Sequence, residues 1–259
     1  MIRTAVLHPE PSLQYAGTFA PGVVVTTGGE LPPGWEGLYF PFDAPLAELR
    51  PDGSPADDGL TPTDAPPRRM YAGEDTEFLR PLHWGDTVEQ RSSLSSVVRK
   101  EGRSGSLLFA DITREYLVDG AVAVRSVWHD VFLSSGGTAL APAEGEAPVR
   151  DWGAAFTVDI RQLFRFSAIT FNTHRVHYDR AWAVDVENLP GLLVHGPLVR
   201  ILLLDALRAA RPSLSVTSWS VRSLAPVLLD AELRIVGSEA DVELYDGSRL
   251  LARGHYRSS

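Results

Sequence analysis

The segment from Gly196 to Pro212 constrains the fold of this chain most strongly, because it predicts a helix that is apolar around most of its circumference. Pro197 suits the first helical position, where the missing N–H costs no hydrogen bond, and Pro212 predicts that the helix ends by Arg211. At about 100° per residue only one arc of the helix is polar; it holds Arg200, Asp205, Arg208 and Arg211. Such a helix must be enclosed, and its length of about 22 Å matches the width of a sheet of several strands. The segment therefore predicts a central helix wrapped by a curved antiparallel sheet.

The same helix does not predict a membrane span. Its apolar run from Leu198 to Leu207 is interrupted by two charges and is about half the roughly 20 residues that a span requires. The first ten residues contain no apolar stretch followed by a cleavage site of small residues, as a secretory signal would. We therefore expect a cytoplasmic location and no membrane partner.

Composition narrows the available chemistry. A net charge of −9 without any basic run argues against nucleic acid as a partner, because such binding rests on clustered Lys and Arg. The absence of cysteine excludes disulfides, thiolate zinc sites and a Cys nucleophile. Lys100, the only lysine, lies between charged neighbours and is a poor candidate for a Schiff base. Reactions must use histidine, carboxylate, amide, hydroxyl or backbone groups.

Two hairpin signals predict that the chain consists of two similar halves. Asp119-Gly120 and Asp246-Gly247 each follow a strand-like alternation of apolar and polar residues. A stretch rich in glycine and proline separates them and predicts a linker over residues 136–150. The halves are then residues 1–135 and 151–259, related by internal duplication. Two unrelated β domains are the alternative reading of the strands alone.

The first half contains two less regular stretches. Residues 45–67 are rich in Pro, Asp and Gly and predict either a mobile lid or a structured loop. Gly37 to Phe42 is the candidate for the start of a counterpart to the central helix, although it has no comparable periodicity.

Three of the seven histidines lie close together in sequence, at His174, His177 and His195. With Asp179 they have the right chemical types for zinc or iron, but no spaced-ligand motif of a known zinc class is present, and we expect no metal. The alternative uses the backbone of Gly196 at the mouth of the central helix, where free N–H groups can stabilise an oxyanion. His177 then stands opposite as acid and base, because an ordinary pKa of about 6.5 suits proton transfer near neutral pH. We interpret Asp179 as the N-cap of the next helical segment.

Two runs in the second half resemble a known family. They are Phe171-Asn172-x-His174-Arg175-x-His177-Tyr178-Asp179 and Pro190-Gly191-Leu-x-Val-His195-Gly196-Pro197, supported in the first half by Pro67-Arg-Arg-Met-Tyr-Ala-Gly73 and Glu77-Phe-Leu-Arg-Pro-Leu-x-x-Gly-Asp86. Together they are similar to the double-hotdog MaoC-like dehydratases, in particular the group of 3-hydroxyacyl-thioester dehydratases type 2 and mesaconyl- or itaconyl-CoA hydratases. The resemblance covers the chain from about Gly34 to its end.

The resemblance implies an α+β double hotdog, in which each half wraps an antiparallel sheet around a central helix. Only the second half carries the catalytic run, so one complete active site is expected. In the wider MaoC pattern an Asp precedes the catalytic His by five residues; here Asn172 takes its place, and His174 and Arg175 occupy the Asn-Pro positions. An amide can orient a water or hydroxyl but cannot transfer the proton, which leaves proton transfer to His177.

The implied site therefore has catalytic Asn172, His177 and Gly196. The thioester carbonyl binds the Gly196 N–H, His177 removes the C2 proton and then protonates the departing C3 hydroxyl, and Asn172 holds that hydroxyl. Substrate binding is assigned to His174, Arg175, Val194, His195 and Arg69. The Arg68-Arg69 pair is either a surface charge or a contact for phosphate or an acidic carrier protein.

The implied activity is reversible dehydration of 3-hydroxyacyl thioesters, carried on coenzyme A or acyl carrier protein, with no cofactor. The alternatives are thioester hydrolysis, conjugate addition of another nucleophile such as an amine, and a non-catalytic acyl-binding module. The two fused halves form a pseudo-dimer within one chain, and a homodimer of such chains is a further expectation.

Overall fold

The structure is a computed structural model that describes residues 1–102, 105–134 and 143–259. In these ranges the chain forms one antiparallel sheet of ten strands and three α-helices. The strands are β1 (Ile2–Val6), β2 (Arg68–Phe78), β3 (Thr87–Gly102), β4 (Gly105–Val118), β5 (Ala121–Leu133), β6 (Trp152–Phe156), β7 (Val216–Ser223), β8 (Leu233–Gly237), β9 (Asp241–Asp246) and β10 (Arg249–Ser258). The helices are α1 (Pro9–Phe19), α2 (Ile160–Thr170) and α3 (Gly196–Ala210).

The strand order repeats across the sheet. It runs β1-β3-β4-β5-β2 and then β7-β10-β9-β8-β6, so the second half shows the order of the first in mirror sequence. The halves join where β2 pairs with β7, from Gly73 opposite Arg222 to Glu77 opposite Ser218. This repeat agrees with the internal duplication that the two hairpins predict. Residues 136–142 of the predicted linker lie outside the described residues, and residues 143–150 contain neither helix nor strand.

The central helix lies where the sequence predicts it. α3 begins at Gly196, after His195 as N-cap, and ends before Arg211 as C-cap. Its apolar side chains are buried, and it lies against β2, β8, β9 and β10. The first residue of its polar arc, Arg200, is enclosed as well and is only 3% exposed, whereas Arg208 and Arg211 near the end of the helix are partly exposed. No helix within the described ranges is long and apolar enough to cross a membrane.

Among the described residues of the first half there is no long counterpart to α3. In place of a helix starting at Gly37, the structure has one 3-10 turn, Trp35–Leu38. This turn lies against α3, since the Trp35 indole donates to Asp205 at 3.0 Å. The segment from Gly37 therefore forms no helix comparable to α3.

Both predicted hairpins are present, with one difference of position. Asp119 and Gly120 form the two-residue loop between β4 and β5, and both have positive φ. In the second half Asp246 is still paired with Arg249, so the loop consists of Gly247 and Ser248 instead of Asp246 and Gly247.

The stretch over residues 45–67 is a structured loop. Its Gly53 has a φ of 83°, and a Cβ there would lie 1.9 Å from the carbonyl oxygen of Thr173. The backbone N–H of Arg175 donates to the Asp52 carbonyl at 2.7 Å. Further along, Asp58 is ion-paired with Arg69 on β2 at 2.6 Å. The loop is therefore anchored on the segment that follows α2.

Candidate active site

The end of α2 places the candidate catalytic run. α2 begins with a capping box between Asp159 and Gln162, which satisfies free N–H groups of the first turn. Its C-cap is Phe171, whose left-handed φ of 51° turns the chain away from the helix axis. Asn172 follows directly and lines a cavity. A helical turn, Arg175–His177, then brings His177 back toward α3.

A backbone carbonyl fixes the tautomer of His177. Its Nδ1 lies 2.9 Å from the Leu193 carbonyl oxygen, which can only accept, so Nδ1 carries the hydrogen. The lone pair of a neutral ring is then on Nε2. Burial, the largest cause, and the nearby His174 together lower the pKa of His177 to about 3, with the Leu193 carbonyl opposing the shift. His177 is therefore a neutral base across the physiological pH range.

The side chain of His195 packs against that of His177. The two imidazole rings stack with centroids 3.6 Å apart. His195 is fully buried, its Nε2 lies 2.9 Å from the Ser167 hydroxyl, and its Nδ1 has no partner among the described residues. Burial holds the pKa of His195 well below its ordinary value. The His195 side chain is therefore packed against the His177 ring and has no exposed surface.

Asn172 and His174 form a local turn. The Asn172 Oδ1 accepts from the backbone N–H of His174 at 3.0 Å, which leaves the amide NH₂ group for other partners. The His174 ring meets the His177 ring edge-on at 5.6 Å. Burial lowers the pKa of His174, opposed by the carboxylates of Asp52 and Glu187.

Gly196 lies at the N-terminus of α3, directly behind Tyr71. A Cβ at position 196 would lie 2.4 Å from Cδ1 of the Tyr71 ring. Within the described ranges no backbone acceptor pairs with the Gly196 N–H. The site thus has an unpaired N–H at the positive end of a 15-residue helix.

The cavity has a volume of about 570 Å³ and lies between the halves. Asn172, Phe166 and Thr170 line it from the α2 side, and Pro197, Arg200 and Ile201 from the first turns of α3. The first half supplies residues of β2, β3, β4 and β5 together with the loop over residues 45–67. His177 and Gly196 themselves are not among its lining residues.

The other predicted binding residues are held by protein partners. Arg69 lines the cavity and is ion-paired with Asp58 and Asp130, the latter at 2.7 Å. Arg175 is paired with Asp179 and stacks 3.9 Å over the Trp182 ring. Val194 is buried, and its N–H donates to the Val227 carbonyl at 2.8 Å.

The predicted N-cap role of Asp179 is confirmed, because its side chain accepts from the Trp182 N–H at 3.1 Å.

One group of side chains has the chemical types of a metal site. Asp52, His174 and Glu187 bring one potential ligand atom each within 4.8 Å of one another. Both carboxylates already have partners, since Asp52 accepts from Ser54 and Glu187 is paired with Arg68 at 2.8 Å. We assign no metal chemistry to this group.

Three residues at the site escape sequence reasoning: Ser167 under His195, Tyr71 against Gly196, and Arg114 in the cavity wall. Ser167 lies on α2, four residues before the run that begins at Phe171, and nothing in the sequence marks it as a partner of a residue 28 positions later. Tyr71 and Arg114 come from the first half, and only the pairing of the two halves brings them to the site.

Comparison with known proteins places this geometry in a family context. The sequence pattern of the family described as hydroxyacyl-thioester dehydratase type 2 matches residues 34–229. The chain is 36% identical to mesaconyl-C(4)-CoA hydratase of Chloroflexus aurantiacus, over 90% of this chain and 85% of that protein.

Two solved structures from Mycobacterium tuberculosis show the same fold. HtdX superposes with a TM-score of 0.69 at 18% identity, covering 100% of both chains. A protein described as having a double hotdog fold superposes with a TM-score of 0.64 at 14% identity, covering 100% of this chain and 95% of that one. The predicted double hotdog is confirmed.

Proposed function

Because the chain belongs to the hydroxyacyl-thioester dehydratase type 2 family, we propose that it catalyses the reversible addition and removal of water between 2-enoyl and 3-hydroxyacyl thioesters. The observation that carries this proposal is the buried, neutral His177, whose Nδ1 is held by a backbone carbonyl and whose Nε2 is left as a base. Asn172 stands five residues earlier, at the cavity wall.

In the direction of dehydration, His177 Nε2 removes the C2 proton of the 3-hydroxyacyl thioester. The charge that develops on the thioester oxygen is stabilised by the Gly196 N–H at the end of α3. The C3–O bond then breaks, and the hydroxyl leaves as water with the proton that His177 returns. Asn172 orients that hydroxyl through its amide and transfers no proton. Hydration follows the same steps in reverse, so the chain's residues end each cycle unchanged.

The other residues of the site support this chemistry. We propose that His195 holds the plane of the His177 ring through stacking, and that His174, Arg175 and Val194 keep the catalytic run and the start of α3 in position. Arg69 fixes the loop over residues 45–67 along the substrate path through its two carboxylate partners.

We propose coenzyme A as the carrier, because the relative from Chloroflexus aurantiacus is named for a CoA thioester. An acyl carrier protein is the alternative. Activity with a crotonyl thioester on each carrier distinguishes them. Pairing of two chains as a homodimer stays a prediction, which sedimentation velocity tests directly.

Two substitutions test the catalytic assignment. His177→Ala should abolish turnover of crotonyl-CoA without unfolding the protein, whereas His83→Ala, at a partly exposed histidine, should leave turnover unchanged. Asn172→Asp should retain activity, and Asn172→Leu should lose it. An active His177→Ala enzyme would overturn the mechanism.

The product identifies the reaction class. Loss of enoyl absorbance with the thioester intact means hydration, and release of free thiol means hydrolysis. Addition of an amine gives a product of different mass. Binding of acyl thioesters without any of these changes would mean a non-catalytic module.

A further inference from the structure

The part of the cavity wall that β2, β3 and β4 form carries mainly polar side chains. Arg114 lies on β4 between Ile112 and Tyr116, which share its face of the strand and are both buried. Its neighbours in the lining include Gln90 and Ser92 of β3. In the second half α3 covers the corresponding face, but the first half has only the turn Trp35–Leu38 there. An acyl group bound in this cavity would lie against these polar side chains.

Arg114 differs from the other arginines of the cavity. Four arginines line it, and three of them are paired with carboxylates: Arg3 with Asp43 at 3.0 Å, Arg69 with Asp58 at 2.6 Å, and Arg200 with Glu36 at 2.8 Å. Among the described residues, the Arg114 guanidinium forms no hydrogen bond or ion pair, whereas its backbone is paired in the sheet with Ser92 and Ser126. Arg114 is half-buried and faces the cavity without an anionic partner from the protein. Such a guanidinium is suited to bind an anionic group of a ligand.

An aromatic ring holds this guanidinium in place. The Arg114 Cζ lies 4.1 Å from the centroid of the Trp128 ring. The indole is fixed in turn, because its Nε1 donates to Asp130 at 3.0 Å. Stacking leaves the N–H edges of a guanidinium free, which suits bidentate binding of a carboxylate.

The same contacts connect Arg114 to the start of α3, where Pro197 lines the cavity. The Trp128 ring meets the Tyr71 ring edge-on at 4.9 Å, and the Tyr71 ring lies against Gly196. Two aromatic side chains thus separate the guanidinium from the N-terminus of α3. Because Arg114 and Pro197, the residue after Gly196, line the same cavity, we take the distal end of a short acyl group whose thioester oxygen binds at Gly196 to extend toward Arg114.

We propose that Arg114 is the specificity-determining residue of the site, and that it binds a free carboxylate on the acyl group. It thereby selects acyl thioesters with a negatively charged acyl group over neutral ones of the same length. The assignment rests on the proposed function for the position of the thioester, but it can be tested by binding alone.

Fumaryl-CoA and crotonyl-CoA form a matched pair of substrates, because a carboxylate in the first replaces the methyl group of the second. Succinyl-CoA and butyryl-CoA form the corresponding saturated pair for binding. The wild-type protein should favour the charged member of each pair. Arg114→Gln should weaken binding of succinyl-CoA roughly 10- to 100-fold and leave the Kd of butyryl-CoA unchanged. In turnover, kcat/KM should fall for fumaryl-CoA only.

Two further variants distinguish a role of Arg114 in substrate recognition from a purely structural role. Arg114→Lys keeps the charge without the planar fork and should restore part of the preference. Arg3→Gln removes another cavity arginine and should leave the preference for the charged member unchanged in both pairs. If Arg114 instead serves only to balance the surplus carboxylate of Glu36 and Glu74, Arg114→Gln will change both members of a pair equally, and the proposal is wrong.

The readouts also keep the two proposals apart. Unchanged preference in Arg114→Gln, with normal hydration of crotonyl-CoA, rejects the role of Arg114 and leaves the hydratase assignment intact. A second outcome is that Arg114→Gln loses the preference for succinyl-CoA in binding, while the wild-type protein hydrates no enoyl thioester. That outcome rejects the hydratase assignment and supports Arg114 as the carboxylate site.

Discussion

Gly196→Ala tests the claim that the start of α3 must lie directly against β2. The new Cβ would lie 2.4 Å from Cδ1 and 2.9 Å from Cβ of Tyr71, whereas ordinary contacts of this kind are 3.4–4 Å. Either the Tyr71 ring or the first turn of α3 must therefore move by about 1 Å. The ring has little freedom, because Trp128 lies against it at 4.9 Å.

The expected cost falls mainly on catalysis. A displacement of about 1 Å in a positioned donor costs roughly 100-fold in rate, and loss of one oxyanion donor costs roughly 100- to 1000-fold. We therefore expect kcat/KM to fall about 100-fold, equivalent to about 2.7 kcal/mol. Overpacking should also lower the free energy of unfolding by about 1–3 kcal/mol.

The measurements are hydration of crotonyl-CoA, followed by loss of enoyl absorbance, and urea denaturation of the same preparations. Gly17→Ala is the matched control, because no atom lies within 4 Å of a Cβ at this position of α1. It should raise the free energy of unfolding by about 0.5–1 kcal/mol and leave the kinetics unchanged. Wild-type kcat/KM in Gly196→Ala would refute the assignment of the Gly196 N–H.

Further predictions concern stability. Between pH 6.5 and 5 the unfolded chain protonates its histidines while His177 stays neutral, so the free energy of unfolding should fall with decreasing pH by up to about 1.4 kcal/mol per pH unit for each such histidine. Urea denaturation at several pH values measures this slope, and His177→Gln should reduce it; an unchanged slope would contradict the burial of this ring in neutral form. Arg200→Met leaves the buried Glu36 and Glu74 without their cation and should cost about 3–5 kcal/mol, whereas Arg99→Met at a surface pair should cost less than about 1 kcal/mol. Equal losses of stability in thermal or urea denaturation would show that the buried ion cluster contributes no more than the surface pair.

The sequence alone determined the parts of this protein that depend on local pattern. The apolar circumference of α3 and its flanking prolines predict both its limits and its enclosure by a sheet. Alternation and the Asp119-Gly120 turn predict the hairpin of β4 and β5. The run around Asn172 and His177 predicts the family, because its residue types and their spacing can be read within one short stretch of sequence. The second hairpin turn is shifted by one residue, since a turn boundary depends on the pairing of both strands.

Tertiary structure alone decided which groups remain available to a ligand. Arg200 and Arg114 both face the cavity, yet Arg200 is bound by Glu36 and Glu74 while Arg114 rests on Trp128 without a carboxylate. The same holds for the pairing of His195 with Ser167, for the contact of Tyr71 with Gly196, and for the anchoring of the loop over residues 45–67. These contacts join residues tens to more than a hundred positions apart. Periodicity and motif spacing report only neighbours along the chain, so the charge, burial and partners of the site become fixed only when the two halves close on each other.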